Sequence, residues 1–300
     1  MTLERQYYLE TSSVRKASVR TAGKRLQDIA PIAQCFTSAF VLFELVTGLD
    51  ESGDEFNYRK ASIANLWNLQ DSGLHIDWML PKDRAKAAYP FLQHKPDVGK
   101  FCTLIKCVKG SSCMQEFHSI LAQQHMSDYF TSLKREHADI AGYVPSKLRE
   151  APSLIECADR FVEEQWPSAG DQEKRAIRRG LVGHFPQFRK AMGHADVNTM
   201  HFARQWAGEC IPNATEYDVK RTCDSYNGSI TLFLEAFDLF LQKCKSVYNV
   251  GENDFADVLH LLYLDKGNVL VSEERGTSLI ASIAREIGIS LKRVGELQGN

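Results

Sequence analysis

The residues best placed to do chemistry are six carboxylates that close or open elements of regular structure. Glu10 ends the aromatic and apolar run beginning at Tyr7, so it falls at the carboxyl end of a predicted strand, the edge where open α/β sheets bind ligands. Glu44 lies within the otherwise apolar stretch Ala39 to Val46, where a charge is costly to bury unless it is paired or bound to a cation. Asp254 and Asp257 open a later helix one turn apart, on one face. Glu273 and Glu274 follow the apolar run Val269 to Ser272, again at a carboxyl edge. Five of them have an ordinary role open to them: a solvated helix face for Glu44, complementing the helix dipole for Asp254 and Asp257, and a polar loop for Glu273 and Glu274. As a group they are what one or two Mg2+ or Mn2+ ions need, because hard oxygen ligands select hard cations. Two such ions, about 3.5–4 Å apart, activate a water and stabilise the leaving oxygen in phosphodiester hydrolysis.

The elements that must position these acids alternate between strand and helix at both ends of the chain. Tyr7 to Glu10 reads as a strand and Val14 to Leu26 as a helix. Cys35 to Thr37 reads as a second strand, with Ser38 as N-cap and Gly48 as C-cap of a helix over Ala39 to Thr47. A helix from Phe56 to about Asp71, a Ser72-Gly73 turn and a strand from Leu74 to Trp78, stopped by Pro81, follow. Near the other end, Asp254 to Leu264 reads as a helix with apolar face Val258, Leu261 and Leu262, and Gly267 ends it. Val269 to Ser272 is a strand, Ser278 to Ile287 a helix, and Ile289 to Val294 a last strand. Between them nearly everything has helical spacing, broken by Pro90, Pro96, Pro145, Pro152, Pro167 and Pro212. The reading is therefore an α/β fold, a parallel sheet flanked by helices: residues 1–81 and 250–300 form the two parts of one core, and 82–249 form a large α-helical insertion.

Composition narrows the class further. Of the 300 residues 44% are hydrophobic and 25% charged, as in a folded globular protein, and the formal net charge of -2 provides no global basic field for nucleic acid. The most apolar run, Thr231 to Leu241, contains Glu235 and Asp238 and falls short of the ~20 residues that span a bilayer, so no membrane association is expected. Eight cysteines lie mostly in amphipathic stretches and the start MTLERQYYLE lacks a signal-peptide layout, which points to a reducing cytoplasm. Cys102, Cys107 and Cys113 match no common zinc spacing, and His184, His194 and His201 with Glu209 lack an HExxH-like face. There is no GxSxG elbow and no Gly-rich phosphate loop.

Four segments resemble the PIN-domain nuclease family. YYLETSSVR resembles its opening strand and loop, usually an aspartate followed by Thr or Ser; TSAFVLFELVTG resembles its second motif, with the glutamate at Glu44. NDFADVLHLLYLDKGNVLVSEE resembles its third and fourth motifs, and FNYRKASIANL through IDWMLP the helix and strand that follow the glutamate in longer members. The likeness spans about 130 of the 300 residues and does not extend to 82–249. Family members are mostly metal-dependent ribonucleases, so the resemblance implies RNA phosphodiester hydrolysis with Mg2+ or Mn2+. It assigns catalytic and metal-coordinating roles to Glu10, Glu44, Asp257 and Glu273 or Glu274, with Asp254 as a further ligand. Two departures matter: Glu10 stands where the family has Asp, and the fourth motif reads Ser272-Glu273-Glu274 where it usually has an Asp or Asn two residues after Thr or Ser. Each longer side chain moves its oxygens by about one methylene, enough to weaken or retune a metal site.

Arg15, Lys16 and Arg20 follow the first acid and could meet phosphates of RNA, or of DNA, although a solvated helix face accounts for them equally. Lys174, Arg175, Arg178 and Arg179 form a second basic run. The rival expectation is a catalytically weak or inactive PIN-like protein that binds nucleic acid or protein, with 82–249 as the surface for a protein partner or a second copy of the chain. A structure-specific DNA nuclease would bring more acids and a DNA-binding helical motif that the sequence lacks.

Overall fold

A computed structural model of the chain describes residues 6–18, 32–49, 52–150, 162–178, 194–246, 253–273 and 278–297. The chain begins with β1 (Tyr7–Leu9) and α1 (Thr11–Ser18), then β2 (Cys35–Ser38), α2 (Ala39–Thr47), α3 (Gly53–Leu69) and β3 (His75–Asp77). Residues 82–249 supply most of α4 (Pro81–Ala87), then α5 (Val98–Gly110), α6 (Met114–Gln123) and α7 (Ser127–Glu150). Helical stretches at 162–165 and 171–178 precede α8 (His194–Cys210), α9 (Glu216–Asp224) and α10 (Thr231–Ser246). The core resumes with α11 (Asp254–Leu259), β4 (Val269–Val271), α12 (Leu279–Glu286) and β5 (Ser290–Lys292).

The five strands form one all-parallel sheet in the order β3-β2-β1-β4-β5, so both ends of the chain contribute to a single sheet. Steps from β1 to β3 run one way across it and the step from β4 to β5 runs the other way. Right-handed crossovers therefore put α1, α2 and α3 on one face and α12 on the other. Contacts agree, joining α1, α2 and α3 to one another and α10, α11 and α12 to one another.

Except for β2, which runs one residue past its predicted end to Ser38, the strands are shorter than the runs that announced them, because the residues at each run's end turn into loops or helix starts. Tyr8 stacks on Tyr263 at 6.1 Å and meets Phe36 edge-on at 5.2 Å, and strand alternation carries Glu10 to the side of the sheet that Tyr8 faces. In α2 every residue is buried except Glu44. A helix apolar all round needs cover on all sides. The insertion provides it: α5 and α7 pack on α2, Phe43 meets the His137 ring at 5.6 Å, and Lys134 Nζ donates to the Leu49 carbonyl at 3.4 Å. The described helices of 82–249 thus share one hydrophobic cluster with the sheet, from Phe117, Phe130 and Leu133 to Phe233 and Phe240.

Three details differ from what spacing predicts. The helix read from Asp254 to Leu264 ends at Leu259 and tightens into a 3-10 turn over His260–Tyr263. Ser38 occupies the N-cap position of α2 without capping through its side chain, because its hydroxyl bonds Tyr8 instead. Gly48 ends α2 at φ -85, outside the left-handed region; Arg59 Nη1 donates at 3.0 Å to the Glu44 carbonyl, which also accepts the Gly48 N–H at 3.2 Å, and the absent Cβ leaves room for that guanidinium. Gly73, at φ +97, does supply the left-handed turn before β3. Among the described residues no helix is long and apolar enough to cross a membrane.

Candidate functional site

Strand order reverses between β1 and β4, and the crevice beyond their carboxyl ends is a topological switch point, the usual ligand position in an open parallel sheet. Glu10 leaves β1 and Ser272 leaves β4 at this crevice. With Asp257, His260, Leu270 and Ile280 they enclose a cavity of about 10 Å³, at the lower limit of the space one water molecule needs.

Glu10 is 6% exposed, and its carboxylate turns back over the start of α1. Oε2 accepts from the Ser12 N–H at 2.9 Å, and Oε1 accepts from the Ser13 N–H at 3.1 Å and from the Ser12 hydroxyl. These bonds satisfy orphan donors at the helix N-terminus, as a cap does. Burial raises the Glu10 carboxyl above its ordinary range, and His260 and the Ser12 bonds only partly offset it.

Glu44 is held from two sides: Thr11 Oγ1 donates to its Oε2, and His260 Nε2 lies 3.1 Å from the same oxygen. Burial alone would raise the Glu44 carboxyl, but His260, Thr11 and His137 outweigh it and leave it below its ordinary range. Burial alone would likewise lower His260, yet the Glu44 carboxylate outweighs burial and raises it. Both directions describe a carboxylate–imidazolium pair. With both ring nitrogens protonated, His260 Nδ1 donates to the Tyr8 hydroxyl at 2.9 Å, which then donates to Ser38 Oγ at 2.7 Å. Burial holds the Tyr8 hydroxyl far above its ordinary range, so it stays neutral. The imidazole packs 4.9 Å from the Phe40 ring and 5.8 Å from Tyr8.

The acids picked out by sequence divide into two groups. Glu10, Glu44 and Asp257 gather around His260, which each of them stabilises electrostatically. Glu273 adjoins the crevice through its backbone, donating to Ser12 Oγ at 2.9 Å, but its carboxylate is committed elsewhere. Oε1 accepts from the Val294 N–H at 2.9 Å and Oε2 pairs with Lys16. Asp254 opens α11 outside the cavity lining, and Glu274 lies outside the described residues. Arg15 reaches Glu55 at 3.3 Å and lies 5.3 Å over the Tyr58 ring; Arg20 falls outside the described residues. The Arg15 and Lys16 side chains are 39% and 46% exposed, so neither is buried by its ion pair. Of the second basic run, Arg179 lies outside the described residues and Lys174 pairs with Glu163 at 2.6 Å.

Sequence reading missed His260, Ser12, Thr11 and His137. A signal for His260 existed: it is the one strongly polar residue in the buried run His260 to Leu264, and a buried imidazole needs a partner. The Thr-Ser-Ser after Glu10 is likewise a run of donors beside an acid.

In kind, the donors suit Mg2+ or Mn2+: three carboxylates from three distant segments, with Glu44 Oε1 accepting no bond among the described residues. In position they are not drawn together around one point, since among the described residues no group of three His, Cys, Asp or Glu is arranged to hold a metal ion. Comparison of the chain with protein-family models, with curated proteins and with solved structures found no match.

Proposed function

We propose that the chain is a PIN-type ribonuclease that hydrolyses RNA phosphodiesters at the crevice between β1 and β4. One observation carries this reading: Glu10 and Asp257 line the cavity at the switch point of a parallel sheet, and Glu44, from a third distant segment, pairs with His260 of the same lining. Glu10, Glu44 and Asp257 would hold Mg2+ or Mn2+, which would polarise the phosphodiester and make an attacking water more acidic. The chain's own residues do the positioning. Thr11 and His260 fix the Glu44 side chain, Ser12 and Ser13 fix that of Glu10, and the Ser38–Tyr8–His260 chain orients the imidazole. Arg15 and Lys16, in the middle of α1 beyond Glu10, would meet the RNA backbone.

A specific observation favours a second reading, a catalytically weak or inactive PIN-like protein that binds nucleic acid or protein. His260 already supplies a cation to Glu44, both oxygens of Glu10 accept bonds from α1, and both oxygens of Glu273 are occupied. An ion would have to compete with all of these.

Cleavage of a mixed RNA pool with Mn2+, Mg2+ or EDTA, together with thermal melting under the same conditions, separates the two. Metal-dependent cleavage that disappears in Glu44→Gln establishes the ribonuclease. No cleavage and no metal-induced rise in melting temperature leaves the binding protein.

A further inference from the structure

A second cavity, of about 550 Å³, lies among α4, α7, α8, α10 and α11, within the range of small-molecule sites, roughly 300–1,000 Å³. Its walls are aromatic. Phe202 stacks on Trp206 at 6.1 Å and meets Phe237 at 5.5 Å and Phe233 at 5.9 Å. Such faces carry negative potential and attract cations.

The rim carries charge of both signs, and Glu136 is the least exposed acid among its lining. Glu209 lies 2.8 Å from Lys82 and 3.1 Å from Lys86, so one carboxylate is shared by two ammonium groups. Glu136 and Asp139 on α7 stand one turn apart on the cavity wall and form no ion pair among the described residues. Glu136 is half-buried; burial, with Asp83 and Asp139 nearby, raises its carboxyl although Lys82 and Lys86 pull the other way. Arg135 and Asp139 share the rim and are both exposed, so their opposite charges are solvated and have less need of a counter-ion than the half-buried Glu136.

We propose that this cavity binds an organic cation, a protonated amine carried on a flat apolar body, with the ring against Phe202, Trp206 and Phe237 and the ammonium at Glu136. The inference is independent of the ribonuclease reading. Phe255 and Leu259 wall this cavity, whereas Asp257 and His260 of the same segment line the small cavity at the switch point, so the two sites are distinct.

The test is calorimetric titration of the full chain with tryptamine, tryptophol and indole-3-acetate, which share one ring system and differ in carrying an ammonium, a hydroxyl or a carboxylate. Tryptamine should bind at one site about tenfold more tightly than tryptophol, with the acetate weakest. Glu136→Gln, isosteric and on a cavity rim, should melt as the parent does, abolish the preference for the amine and leave tryptophol binding unchanged. Absence of binding by tryptamine, equal affinity for all three compounds, preference for the acetate, or a preference that survives Glu136→Gln would each overturn the proposal.

Discussion

Replacing His260 by Gln tests the central electrostatic argument directly, since it keeps a polar side chain of similar reach and removes the charge. Losing one partner of a buried pair costs about 3–5 kcal/mol because the other charge is left uncompensated. The His260 side chain is 3% exposed, but that of Glu44 is 15% exposed and keeps its bond from Thr11, so the lower end, about 3 kcal/mol, is expected. In a chain this long that lowers the melting temperature by about 5 °C. Glu44→Gln should cost a similar amount, and the double variant should fall short of the sum by about 2 kcal/mol. The pH window follows from the two shifts. His260 is raised from 6.5, so its contribution is complete below that value and lost as pH rises through its folded value. Glu44 is lowered from 4.5, so its contribution is complete above that value and lost as pH falls through its folded value. The coupling is therefore largest between 4.5 and 6.5. Guanidinium unfolding of the four proteins at about pH 5.5 and about pH 10 measures it. A coupling below about 0.5 kcal/mol at the lower pH, or one unchanged at the higher pH, would refute the ion-pair account.

Three further outcomes follow from the same contacts. Ser12→Ala removes a donor to Glu10 and the acceptor of the Glu273 N–H, and should cost about 1–3 kcal/mol in denaturant unfolding; no measurable loss would mean that Glu10 is held by the backbone of α1 alone. Gly48→Ala would set a Cβ 2.2 Å from Arg59 Nη1 and drive the guanidinium off the Glu44 carbonyl, costing about 1–2 kcal/mol, and the same change in an Arg59→Ala background should be nearly neutral. Burial pushes the Cys35 thiol up to about 12, so a thiol-specific reagent should modify exposed Cys113 at once and Cys35 only on unfolding; rapid labelling of Cys35 in native protein would contradict its burial.

Much of the core was legible because its signals are local. A short apolar run ending in an acid marks β1 and Glu10, an apolar helix with one charge marks α2 and Glu44, and the return of strand–helix alternation after Asn253 marks the second half of the sheet. The joining of the two halves could be argued too, since three strands alone leave edges uncovered, and the sheet has five.

What the sequence by itself determined is therefore the class of fold, the positions of its strands, and the place of Glu10 at the carboxyl end of the first of them. Tertiary structure alone decided what the candidate acids do with their oxygens. A helix continued through Leu264 makes Val258, Leu261 and Leu262 its buried face; the tighter 3-10 winding after Leu259 instead buries the whole run and sets His260 against Glu44. Glu273 was legible as a carboxylate at a strand end, but its partners, Val294 and Lys16, belong to segments far away in the chain. Period and propensity act over a few residues. The pairing of a buried charge is settled by whichever distant group the packed fold brings within about 3 Å.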